Sequence, residues 1–181
     1  HFGVGVSPWY EDFLATGERW EKRGKRMDEQ IDILKGLMSG EYFAYKGEFY
    51  DIPELKLCPA PTKPVPILIG GHSKLALKRA ARVGDGWISA GLNIEQTKNL
   101  INQINEFRNE FGTLDHPNYQ FQVMGEAAYS PEGIEQLEKL GATEVIVAFR
   151  NTYEGGPDER TLDSMIAEIN WYAEEVINKS R

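Results

Sequence analysis

The sequence predicts an α/β protein of the TIM (β/α)8-barrel type, here a truncated barrel with about five parallel βα units plus a small β-hairpin insertion. Three observations predict it. Five strand-like segments alternate with five amphipathic helical segments, a pattern that builds a parallel sheet with right-handed crossovers. Two of those strands, Ile67-Leu68-Ile69 and Val145-Ile146-Val147-Ala148-Phe149, are unbroken apolar runs, as in strands covered on both faces. At roughly 30 residues per unit, five units and a hairpin fill 181 residues, whereas a full barrel takes about 250. An open five-stranded sheet wound on both faces satisfies the same alternation, and periodicity does not separate the two. The chain reads as one domain over residues 1–181. It starts without a methionine, directly in a strand, which suggests that the first three units of the barrel are absent.

Taken in order, Phe2 to Val6 alternates large side chains with Gly3 and Gly5. Glycine weakens a strand and marks a place where something approaches the backbone closely. Ser7-Pro8-Trp9-Tyr10 leaves that strand as a loop. Thr16 is placed to cap a long helix in which Trp20, Met27, Ile31, Leu34 and Met38 recur on one side, as a core-facing stripe. The charges between them (Glu21, Lys22, Lys25, Arg26, Asp28, Glu29) read as a solvated face, and Gly40 ends the helix. Next comes the hairpin, Tyr42–Tyr45 and Glu48–Tyr50 about a Lys46-Gly47 turn. A proline-rich strap with Pro53, Pro59, Pro61, Pro64 and Pro66 follows.

The stretch from Pro66 to Trp87 is the centre of the chain. Strand Ile67–Ile69 runs into Gly70 and Gly71, Ser73 is placed to cap the next helix, and Leu75, Ala76, Leu77, Ala80 and Ala81 are small enough to lie close on a sheet. Gly84 stands where a left-handed helix stop is expected. Free N–H groups and a helix dipole point the same way at such a turn, which makes it a seat for a phosphate. The same residues also make a simple tight connection, so the spacing leaves both readings open. His72 can cap, stack on a ligand or lie exposed.

After strand Trp87-Ile88, Asn93 caps a helix carrying Leu100, Ile101, Ile104, Phe107 and Phe111, which stops at Gly112. Tyr119 to Tyr129 reads as a strand. Ser130-Pro131-Glu132 starts a helix, since proline suits the first helical position, with Ile134, Leu137 and Leu140 facing inward. Strand Val145–Phe149 leads through the loop 150–157 to a last helix bearing Leu162, Met165, Ile166, Ile169, Ala173, Val176 and Ile177.

Composition narrows the function. Twenty basic against twenty-eight acidic residues give a net charge of −8 with no basic block, which argues against a nucleic-acid partner. No apolar run approaches a membrane span. The single cysteine, Cys58, rules out an intramolecular disulfide and fits a reducing, cytoplasmic setting. No metal-ligand spacing and no Ser/His/Asp or Cys/His set is present.

Several segments then carry a family resemblance: GVGVSPWYEDF at Gly3–Phe13, the helix ERWEKRGKRMDEQIDILKGLMSG, the hairpin FAYKGEFY and, above all, PILIGGHSKLALKRAARVGDGW. Together, in this order, they resemble the bacterial luciferase-like monooxygenase superfamily, and within it the branch that depends on the deazaflavin coenzyme F-420. The resemblance covers essentially the whole chain and implies a barrel of which it supplies the fourth to the eighth strand. It implies a cofactor, coenzyme F-420 or FMN, whose phosphate lies at Gly70, Gly71, His72 and Ser73, with the ring over the strand ends near Gly3, Gly5 and Ser7. Ser7, Trp9, Arg150, Asn151 and Tyr153 follow strand ends and are pocket candidates. No catalytic residue carries over. Asp85, which precedes its strand, is expected to brace the far end of the sheet.

The implied activity of the intact protein is hydride transfer between coenzyme F-420 and a small organic substrate. An FMN-dependent monooxygenase using O₂ is the alternative. A third reading is an inactive fragment that self-associates through its open edges, consistent with an expected homo-oligomer.

Overall fold

The computed structural model describes residues 1–150 and 156–180. Strand β1 (Phe2–Val4) is followed by helices α1 (Tyr10–Thr16) and α2 (Arg23–Met38) and by the antiparallel hairpin β2 (Phe43–Lys46) and β3 (Asp51–Leu55). The chain continues as β4 (Ile67–Gly70), α3 (Lys74–Val83), β5 (Gly86–Ile88), α4 (Ile94–Phe111), β6 (Gln120–Met124), α5 (Pro131–Lys139), β7 (Glu144–Ile146) and α6 (Leu162–Glu175). Strands β1, β4, β5, β6 and β7 form one sheet in that spatial order, and every pairing in it is parallel. Chain order and spatial order agree, so each connection moves one place along the sheet, as in a barrel. The outer edges of β1 and β7 have no strand beside them among the described residues.

Alternation along each strand separates two faces. Ile67, Ile69, Trp87 and Phe121 pack outward against Met27 and Ile31 of α2, Leu77, Ala80 and Ala81 of α3, and Ile101, Ile104 and Phe107 of α4, forming the main core. The register places Gly3, Leu68, Gly86, Gln120, Gln122 and Glu144 on the other, barrel-side face. There the Gln122 amide donates to Glu144 Oε2 at 2.6 Å. Asp85 acts at the opposite end from the strand tips: its Oδ2 accepts the Ile67 N–H at 2.8 Å, and its carbonyl accepts the Gln120 N–H at 3.0 Å. One residue, through its side chain and its backbone, thus ties the starts of three neighbouring strands.

Several expectations are corrected. Thr16 does not cap the long helix; it ends α1, its hydroxyl donating back to the Asp12 carbonyl at 2.8 Å, because Gly17 turns left-handed at φ 69° and stops the chain there. Helix α2 starts only after Lys22, at φ 57°. Its charges are more than a solvated face. Asp28 holds the buried Arg79 of α3 at 2.6 Å, and Glu29 accepts the N–H groups of Glu48, Phe49 and Tyr50. That carboxylate makes residues 47–50 the hairpin turn, closed by Gly47 N–H on the Tyr50 carbonyl at 2.8 Å. The second strand therefore lies at Asp51–Leu55, and includes Pro53, which a two-stranded ribbon tolerates because both strands are edges.

Gly84 is extended at φ −81°, not left-handed. Glycine is required there by space: a Cβ would stand 2.8 Å from the Ala80 carbonyl. The expected strand Tyr119–Tyr129 ends at Met124, where the backbone breaks at Gly125 and Glu126–Tyr129 form a short 3-10 turn. The first strand likewise stops at Val4, and the last is only Glu144–Ile146, partly exposed and with no strand beside its outer edge among the described residues. The last helix is less buried than its apolar stripe implies, with Leu162 70%, Ile166 47% and Ile169 54% exposed. Among the described residues no helix is long and apolar enough to cross a membrane.

Candidate functional site

The carboxyl ends of the five parallel strands gather on one rim, which includes the turn from β4 into α3. Ser73 caps α3 as expected, its Oγ accepting the Ala76 N–H at 3.3 Å. The first N–H groups of a helix have no intrahelical acceptor, so those of Lys74 and Leu75 remain for an outside group. The first turn of α3 contains Lys74 and no acidic residue, which leaves the positive end of the helix uncompensated.

Gly71 has φ 116°, a conformation that L side chains rarely adopt, and a Cβ there would stand 3.0 Å from the Ala76 methyl. The turn therefore needs glycine for two reasons, and its surface is bare backbone. A neighbouring strand fixes it: the indole N–H of Trp87, fully buried in β5, donates to the Gly71 carbonyl at 2.9 Å. His72 is tied to the same strand's exit, where its Nε2 accepts the Ala90 N–H at 3.2 Å, and its ring lies 6.1 Å from that of Trp87. Burial lowers the proton affinity of His72 below the usual imidazole value. Ser89, also buried, joins β5 to β6 by accepting the Met124 N–H at 2.9 Å.

Of the other predicted residues, Gly3 lies in β1, and Gly5 and Ser7 lie in the segment that leaves it. Gly5, just past the end of β1, lies beside Gly70 at the end of β4 with open space above: a Cβ on Gly5 would have nothing nearer than the Gly70 backbone at 3.9 Å. Gly3 lies one level deeper, and the Ile88 side chain comes within 3.0 Å of its missing Cβ position. Ser7 organises its own loop, donating to Asp12 Oδ2 at 2.5 Å and accepting the Trp9 N–H at 3.1 Å. A cavity of about 210 Å³ opens beside Gly5, Ser7, Asp12, Arg23 and Arg26. Arg150 donates to the Gly156 carbonyl at 2.9 Å within the loop after β7 and makes no bond to the glycine turn. Asn151 and Tyr153 lie outside the described residues.

Sequence reasoning missed Trp87 and Ala90 as supports of the turn. Trp87 signals only an apolar strand, and its indole N–H gains meaning once β4 and β5 are seen side by side in register, Ile69 opposite Trp87. The arrangement fits an anion on a flat-ringed cofactor: bare backbone at Gly70-Gly71, free helical N–H groups, and uncrowded strand ends at Gly5. It offers no nucleophile–base pair. Among the described residues no group of three or more His, Cys, Asp or Glu is placed to hold a metal.

A parallel five-stranded sheet in barrel order, with a glycine turn and a capped helix on its carboxyl rim, defines the class, an α/β protein of the TIM-barrel type. The comparisons make this specific. The sequence pattern of the luciferase-like monooxygenase family matches residues 1–124, and the chain belongs to that family. It is 45% identical over 177 residues to an uncharacterized protein of Mycobacterium tuberculosis, covering 98% of this chain and 60% of that protein. It is 35% identical over 103 residues to an FMNH(2)-dependent dimethylsulfone monooxygenase of Pseudomonas fluorescens (55% of this chain, 28% of that protein). An F420-dependent hydroxymycolic acid dehydrogenase of Mycobacterium tuberculosis is 32% identical over 99 residues (48% and 28%). In structure, the coenzyme F420 dependent tetrahydromethanopterin reductase of Methanopyrus kandleri superposes on 99% of this chain and 74% of its own, with TM-score 0.72 and 15% identity, a likeness of fold. The chain thus spans 60% of the length of the first curated relatives it matches.

Proposed function

We propose that this chain forms the phosphate-binding side of a deazaflavin- or flavin-dependent oxidoreductase, holding the cofactor phosphate at Gly70, Gly71, His72 and Ser73. The observation that carries the reading is the Gly71 turn, at φ 116° and pinned by the Trp87 indole directly before the capped α3. Gly5 would leave room for the edge of the ring, with Gly3 beneath it and Ser7 shaping the loop beside it. The bound cofactor supplies hydride transfer to or from a small organic substrate; this chain's residues bind and orient it. Coenzyme F-420 is the cofactor we favour. The similarity to FMNH(2)-dependent monooxygenases supports a second reading, in which the whole protein uses reduced FMN and O₂.

A fluorescence titration of the chain with F-420 and, in parallel, FMN tests the reading. Saturable binding of one over the other supports the seat and identifies the cofactor. Binding of neither overturns the view that these residues suffice to hold it.

The chain also exposes 11766 Å², whereas a compact protein of 20.5 kDa exposes about 8,900 Å². The excess, roughly a third, is of the size that large obligate interfaces cover. We therefore propose that the isolated chain self-associates, with the free edges of β1 and β7 and the apolar side of α6 as the covered surface. Light scattering that reads a monomer at micromolar concentration would refute this.

A further inference from the structure

We propose, resting on the self-association reading above, that two copies of this chain close on each other as one ring of parallel strands. In that dimer β7 of each copy lies beside β1 of the other. Helix α6 of each copy is seated in the groove between β1, α2 and the hairpin of the other.

The two edges of the sheet lack opposite things. A crossover helix packs back onto the sheet between the strand it follows and the next one, but α6 follows β7, which has no next strand among the described residues. One side of α6 is satisfied: Tyr172 and Val176 are buried, and the Tyr172 hydroxyl donates to the Ala128 carbonyl at 2.8 Å. A second stripe, Leu162, Ile166 and Ile169 at helical spacing, is exposed. At the far edge a groove of about 520 Å³ is lined by Phe2, Val4, Ile31, Leu34, Tyr50 and Ile52. One edge carries a helix without a groove and the other a groove without a helix, so a second copy completes both.

The backbone and the charges agree with this pairing. Phe2 donates its N–H inward, to the Pro66 carbonyl at 2.8 Å, and alternate residues of a strand turn their backbone groups to opposite sides. Gly3 therefore presents its N–H and C=O to the open edge, with no side chain to hold a partner strand away. Thr143 likewise donates inward, to the Phe121 carbonyl at 3.0 Å, which leaves Glu144 and Ile146 facing the open edge of β7. All pairings in the sheet are parallel, so β7 beside β1 continues the same order. Helices α6 and α2 then run side by side in one direction, over about 21 and 24 Å. That brings Asp163, in the first turn of α6, level with Arg23, in the first turn of α2, whose guanidinium has no carboxylate partner among the described residues. Helix α6 contains four acidic residues and no basic one.

A contact between unlike edges builds a filament unless its rotation closes. The curl of the sheet favours closure: His1 Nδ1, next to β1, stands 3.0 Å from the Gln122 amide nitrogen on β6, with β4 and β5 between those strands. Both edges thus turn toward the same side. The surface excess of about 2,900 Å² per copy matches the scale of obligate dimers, which cover about 2,000–5,000 Å² over both partners.

Sedimentation equilibrium should give a mass of two chains at micromolar concentration and nothing larger. Ile166→Glu, at an exposed position, should weaken the dimer roughly tenfold or more by burying a charge in an apolar groove. For the geometry, Ile166→Cys and Gln30→Cys chains, each also carrying Cys58→Ser, are mixed and oxidised, one of them labelled with ¹⁵N. Mass spectrometry should find position 166 joined to position 30 of another chain, and the Gly3 and Ile146 amides should exchange more slowly as the dimer forms. Links joining 166 to 166 or 30 to 30 overturn this geometry while self-association stands, as does a mass that keeps growing with concentration. A monomer throughout overturns both.

Discussion

Trp87→Phe is the substitution that most directly probes how the sheet supports the rim. Trp87 is fully buried, packs in the main core, and donates its indole N–H to the Gly71 carbonyl at 2.9 Å. Phenylalanine keeps a ring in the core but removes the donor and leaves a void where the second ring was. The lost hydrogen bond is worth about 0.5–1.5 kcal/mol, at the lower end because the exposed Gly71 can turn to water. The void adds about 1–2 kcal/mol for an incompletely collapsed site. Together these predict a loss of about 1.5–2.5 kcal/mol, equivalent to a fall of about 3–10 °C in Tm for a domain of this size. The assay is thermal unfolding by circular dichroism, paired with amide hydrogen exchange at Gly71, His72 and Ser73. Exchange at those three amides should quicken more than at Ala128, which belongs to a different part of the core. A Tm change below about 1 °C, or uniform exchange, would refute the idea that this indole fixes the turn.

Three further outcomes are expected. Gly71→Leu should abolish phosphate and cofactor binding while the far-UV spectrum persists, since the strain at φ 116° and the contact with Ala76 are local; unchanged affinity would remove phosphate from this turn. Asp85→Ala strands the N–H of the fully buried Ile67 and should cost about 1–3 kcal/mol, whereas Asp85→Asn, which keeps an acceptor, should cost less; urea midpoints decide. For His72 the folded-state proton affinity is below the unfolded value of 6.5, so the unfolded chain binds the proton more tightly. Its contribution to stability is complete above pH 6.5 and declines as the pH falls from there through the folded value. The slope of Tm against pH in that window should lessen in His72→Gln, and an unchanged slope would count against the shift.

What the sequence carried and what it hid follow from the range of the forces involved. Helix starts with a side-chain oxygen next to the first turn are legible: Ser73 and Asn93 each cap as read, and the helix expected from Ser130-Pro131-Glu132 starts there with Ser130 as its cap, because a cap is satisfied within three residues. The failures involve partners far away in the chain. The hairpin turn moved because Glu29, about twenty residues upstream, gathers three N–H groups of residues 48–50. Gly84 was read as a left-handed stop from local statistics, but the Ala80 carbonyl and the Gly86 backbone leave no room for a side chain there, and extended backbone results. The exposed stripe of α6 shows the same limit from the other side, because periodicity tells which face of a helix is apolar and not whether anything covers it.

For the candidate site, the sequence pointed to the glycine turn and its cap, which are local, and not to the groups that make the turn rigid. Gly71 is held by Trp87 sixteen residues later and His72 by Ala90 eighteen residues later. Both partners lie in or just beyond β5, the strand paired to β4 on one side, whereas β1 on the other side contributes only space, through Gly5. The seat is thus built asymmetrically: one neighbouring strand supplies hydrogen bonds and the other supplies clearance. On the proposed cofactor reading, a phosphate needs a fixed turn and a ring needs room, so this division would place the phosphate toward β5 and the ring toward β1. That orientation would hold for F-420 and FMN alike, because the difference between those cofactors lies in the chemistry of the ring and not in which side of the seat is rigid.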